Sequence, residues 1–135
     1  AHFAQGDNSL YNNISPKSDH WLSSATGISQ CTYHLIFLQK AIRVDIEFAR
    51  KDAVENKQLF DFFYARKNEI EHKFGQPLEW LRLDAKKSSR IEFILNTDGH
   101  NQDLWQSHIA WHLEHIQKLE QAFKPYMNEA YQVIK

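Results

Sequence analysis

Ile42-Arg43-Val44-Asp45-Ile46-Glu47-Phe48 alternates apolar and polar residues at every step. That period of two belongs to a half-buried strand, and it continues through Ala49 to Arg50. Working back, Cys31 to Leu38 is a second β-like run and His20 to Ala25 a third. Only Gln39, Lys40 and Ala41 separate the two longer runs, which predicts a tight hairpin even without an Asn-Gly or Asp-Gly signal. In a two-residue hairpin, opposed residues have odd index sums. Tyr33, Leu35 and Phe37 should therefore share a face with Val44, Ile46 and Phe48. The other face carries His34, Ile36 and Leu38 beside Arg43, Asp45 and Glu47.

Working forward, Asp52 to Phe74 reads as one helix, with Leu59, Phe63, Ile70 and Phe74 on a stripe and Gly75 and Pro77 as stop signals. Leu78 to Leu83 and Arg90 to Asn96 are two more strands. A second helix opens near Asn101 and runs to about Lys124, where Pro125 ends or kinks it, and 126–134 forms a helical tail. The order β-β-β-α-β-β-α predicts an α+β fold: a mostly antiparallel five-stranded sheet with two main helices on its apolar face. The domain is expected over 20–124, with 1–19 as a leader or the end of a preceding element and 125–135 as the tail.

The 135 residues suffice for a core without staples. Sixteen basic against seventeen acidic residues give a formal charge of −1, which argues against whole-surface attraction to nucleic acid or membrane. The single cysteine, Cys31, excludes an internal disulfide and fits a reducing, cytoplasmic setting. No apolar run is long enough to span a membrane. Four glycines leave no room for a phosphate-cradling loop or dinucleotide fingerprint, and no cofactor is expected.

Several stretches together carry a family pattern: Ser15-Pro16-Lys17 with Asp19-His20-Trp21-Leu22, Arg43-Val44 in the strand, Lys57 with Leu59-Phe60-Asp61, and Lys67 with Ile70-Glu71 and Phe74-Gly75. Leu78-Glu79-Trp80, Arg82-Leu83-Asp84, Ser89-Arg90-Ile91, Trp105 with His108 and Trp111, and Phe123-Lys124-Pro125 continue it. In this order and spacing the chain resembles domain-of-unknown-function family 4268 over roughly residues 9 to 126. The resemblance implies an accessory module without a settled activity, often C-terminal to a part resembling a restriction-type nuclease in bacterial and archaeal proteins. A first residue other than Met agrees with a piece of something longer.

Four constellations offer chemistry. Arg82, Lys86, Lys87 and Arg90 against Asp84 give a local excess of +3 at a hairpin tip, suited either to phosphate contacts or to a solvated turn; Arg82 and Arg90 are placed in strands with Glu79 or Glu92 as partners. His108, His112 and His115 share one helical face, as a divalent metal would need, but the same arc carries the apolar stripe, and Glu114 should point away. Asp45 and Glu47 resemble nuclease carboxylates but lack the following Lys; a polar strand face paired with Arg43 and Arg50 is the alternative. Trp21, Ile36, Leu38 and Arg43 are candidates for a partner face, which would serve a homodimer or a nuclease-like neighbouring domain. Otherwise the four tryptophans are read as core.

Overall fold

The computed structural model describes residues 20–97 and 102–135; the side chains of residues 20–22, 102 and 105 also lie outside the described residues, as do the leader and the Asp98-Gly99 helix start. Strands β1 (His20–Ala25), β2 (Cys31–Phe37) and β3 (Ala41–Phe48) precede helices α1 (Ala53–Tyr64) and α2 (Lys67–Phe74). Strands β4 (Glu79–Leu81) and β5 (Ser89–Asn96) follow, then α3 (Trp105–Phe123) and α4 (Met127–Ile134), each entered through a short 3₁₀ turn. The sheet order is β1-β2-β3-β5-β4, and every described pairing is antiparallel. This is the α+β architecture expected from the element order.

Phe37 pairs with Ile42, Leu35 with Val44 and Tyr33 with Ile46, so the parity of the hairpin is as anticipated. Leu38 N–H donates to Ala41 C=O at 2.8 Å, closing the turn around Gln39 and Lys40. The apolar register joins Leu59, Phe63, Ile70, Ile109, Ile116, Leu119 and Phe123 in a single core, which places the helices on that face. Phe63 sits at its centre, stacked on Phe48 at 5.6 Å between ring centroids and edge-on to Phe123 at 5.1 Å. Trp80 and Trp111 pack against this core while partly buried.

The single helix expected over 52–74 is instead two. Asp52 caps α1 by accepting from Val54 N–H at 2.8 Å, but at the far end Arg66 N–H turns to Phe63 C=O, an i→i−3 bond that tightens the last turn. Arg66 then lies at φ −111°, with its guanidinium 3.8 Å above the Phe62 ring and Nη1 donating to Phe62 C=O. The break lets α1 pack on α4 while α2 packs on α3. Gly75 ends α2 in the left-handed region at φ +100°, as its sequence position required. The tail beyond Pro125 is helical, and its Met127 and Ala130 enter the core.

Candidate functional site

Two polar surfaces stand out, one on the loop between β4 and β5 and one on the sheet face away from the helices. The loop, residues 82–88, is braced from the first turns of α1. Lys57 Nζ lies 2.6 Å from Arg82 O, 2.9 Å from Leu83 O, 2.7 Å from Ser88 O and 3.0 Å from Ser89 Oγ, so one ammonium gathers both ends of the loop. Burial holds the Lys57 pKa below its usual value. Fully buried Asn56 donates to Lys87 O and Arg50 O at 3.0 Å and accepts from Arg50 N–H at 2.9 Å, tying the loop to the end of β3. Leu83 takes a left-handed φ of +57° inside this cage.

The four cations expected at the tip do not act together. Arg82 lies just beyond β4 and binds Asp61 through two bonds, 2.9 and 3.0 Å, and Asp84 through a third; these bonds, Asp61 foremost, raise its pKa. Glu79, the expected partner, is not involved. Arg90 does lie in β5 and pairs with Glu92 at 2.7 Å, but on the open face of the sheet. Lys86 and Lys87 are left exposed on the loop. With Asp61 and Glu92 counted beside Asp84, the local excess of +3 falls to +1, four cations against three carboxylates, and of the four only these two ammonium groups remain outside an ion pair among the described residues.

On the open face, Asp45 is fully buried although it belongs to the polar register. Its Oδ1 meets His34 Nδ1 at 2.8 Å and its Oδ2 accepts from Arg43 Nε at 3.0 Å. Thr32 Oγ1 lies 2.9 Å from His34 Nε2, and Glu92 stands 3.7 Å from Arg43 Nε. The expected Arg50 partner is absent from this network: Arg50 leaves the sheet and binds Glu55 at 2.8 Å and Ser29. Ile36 and Leu38 are half-buried on this face, and Trp21 is the register partner of Ile36.

The profile of a family described as a domain of unknown function (DUF4268) matches residues 1–127. The chain belongs to the DUF4268 family. No curated protein and no solved structure matches it.

In this DUF4268 chain the helix histidines take separate stations in the core. His112 Nδ1 lies 3.0 Å from His108 O and Nε2 lies 3.0 Å from Ile36 O, with the ring 4.3 Å from that of Phe37. Burial pushes its pKa down to about 4, so the ring is neutral and only one of the two carbonyls receives a proton. His115 donates from Nδ1 to Trp111 O at 2.7 Å, its ring stacked on Trp111 and Phe93. Glu114 was expected to point away from the histidines. Its carboxylate instead lies 3.8 Å from His115 Nε2 while bonding Lys118 at 3.1 Å. Among the described residues, no three His, Cys, Asp or Glu side chains converge on a point that could hold a metal ion. The Cys31 thiol is buried and pushed up to about 11 by that burial, which leaves it a core group. No described helix is long and apolar enough to cross a membrane.

Sequence reading missed Asn56 and Lys57 as the residues that shape the loop. A signal existed for Asn56, which falls three and four positions before Leu59 and Phe60 on the buried side of α1. A polar residue in an apolar stripe announces a satisfied buried hydrogen bond.

Proposed function

We propose that this domain is a non-catalytic accessory module that engages nucleic-acid backbone through Lys86 and Lys87, serving target engagement within a larger, nuclease-bearing cytoplasmic protein. The observation that carries this reading is the bracing of the loop by Lys57 and Asn56, which fixes the backbone on which the two exposed ammonium groups stand. A held loop presents cations without the ordering cost that a free one incurs on binding. Two phosphate contacts give weak, sequence-independent affinity with a log–log salt slope of about −2 on duplex DNA.

Fluorescence anisotropy with duplex and single-stranded oligonucleotides at low salt tests this. Binding with that slope, abolished in the double variant Lys86→Glu/Lys87→Glu, is the expected result. Absence of binding, or binding indifferent to the double variant, rules the nucleic-acid role out.

A second reading, a homodimerisation module, is favoured by Tyr131 and Val133, which stand 42% and 43% exposed on α4. Light scattering over a concentration series distinguishes it, since a strict monomer at high concentration excludes a stable dimer.

A further inference from the structure

The open face of the sheet contains a concavity of about 230 Å³ lined by His34, Ile36, Arg43, Asp45, Glu47 and Arg90. Its floor is fixed from within the sheet. Buried Asp45 accepts from Arg43 Nε, and Glu92, only 8% exposed, accepts from Arg90 Nε. Each arginine therefore anchors its Nε edge, and among the described residues the terminal amino groups of Arg43 and Arg90 have no partner. Glu47 is the register partner of Arg90, yet Arg90 is drawn to Glu92, and Glu47 makes no hydrogen bond or ion pair among the described residues. Two guanidinium ends and one carboxylate thus border the same hollow beside the apolar wall of Ile36.

A simple anion is a poor match for this set. Arg43 and Arg90 stand against the three carboxylates Asp45, Glu47 and Glu92, and Glu47 faces the hollow with no cation bound to it among the described residues, so an anion on the arginines meets repulsion from Glu47. A dipolar ligand answers both signs, and a hollow below the ~300 Å³ common for drug-sized ligands suits a small one. We infer that this concavity binds a small zwitterion of the α-amino-acid class. The ligand carboxylate sits on the terminal amino groups of Arg43 and Arg90, whose planar forks match it geometrically. Its ammonium pairs with Glu47, and an apolar side chain packs on Ile36. This site is independent of the loop that carries Lys86 and Lys87.

The test is an amide NMR titration of the full chain with four probes having apolar side chains, leucine, valine, methionine and phenylalanine, and with acetate and butylammonium as single-charge controls. At least one amino acid should give saturable shifts in β2, β3 and β5, at least about tenfold tighter than either control. Glu47→Gln and Arg90→Gln should each weaken that binding about tenfold or more. Glu47 has no hydrogen-bond or ion-pair partner among the described residues, so its variant should keep the wild-type melting temperature and report binding alone. The inference fails if none of the four amino acids gives saturable shifts, if acetate binds as tightly as they do, or if their binding is unchanged by Glu47→Gln.

Discussion

The Lys57 ammonium lies 2.6 Å from the carbonyl oxygen of Arg82, twenty-five residues further along the chain. Helix α1 and the loop that follows β4 are thereby joined by a charged donor shared among four oxygens. A cation on backbone carbonyls is stronger than a neutral donor, and its removal strands acceptors that the fold has already withdrawn from water.

Replacing Lys57 by Met should cost about 1–3 kcal/mol of stability. Urea unfolding measures it. If the loop is as dependent on this brace as the geometry indicates, hydrogen exchange at residues 83–88 should speed up by more than exchange in β2 does. Equal acceleration in both would mean that Lys57 contributes globally and does not shape the loop.

Asp45→Ala should be among the more damaging single changes on the open face. It leaves Arg43, with a side chain only 16% exposed, and His34 without their shared carboxylate. Breaking a buried pair from one side costs about 3–5 kcal/mol. A shift in the urea midpoint corresponding to less than about 1 kcal/mol would show that water replaces the carboxylate without difficulty.

His112 sets an acid dependence. Its pKa of about 4 in the folded protein lies below the unfolded value of 6.5, so the unfolded chain binds more protons between those limits. The slope of stability against pH is positive there: the contribution is complete above pH 6.5, falls as pH drops towards 4 and is flat below. A gap of this size is worth about 3 kcal/mol at most. In His112→Gln the unfolding midpoint should lose most of its decline over that window, whereas an unchanged decline would assign it to other groups.

Two backbone positions should respond in opposite directions. Exposed Gln30 holds φ +63°, where a side chain is strained, and Gln30→Gly should stabilise by about 0.5 kcal/mol once the entropy of glycine is subtracted. Gly75 holds φ +100° with open space around it, and Gly75→Ala should destabilise by about 1–2 kcal/mol through conformation alone. Thermal unfolding of the pair checks both signs.

The pairing and facing of β2 and β3 were readable because alternation has one period and a short connection fixes parity. The break between α1 and α2 was not, because no Gly or Pro marks it. Its one trace is that Arg66 and Lys67 occupy the place where the stripe from Phe63 to Ile70 needs an apolar residue. The burial of Asp45 was equally hidden. Alternation places it on the polar register, but only the cross-strand pairing with His34 and Glu92 supplies the neighbours that close over it. At the loop, counting Arg and Lys gave the charge, but it could not show that Arg82 and Arg90 turn to opposite sides and find carboxylates there.

Helix α4 covers α1, although more than sixty residues separate Tyr64 from Met127. During synthesis, the outer flank of α1 has no native cover until almost the whole domain has been made. Hairpins of the sheet can form early, since their contacts are local, but closure of the core depends on α4, which is made after the rest of the core. A pause in translation after β5 would therefore leave that flank of α1 open to chaperones until Met127 and Ala130 emerge to enter the core.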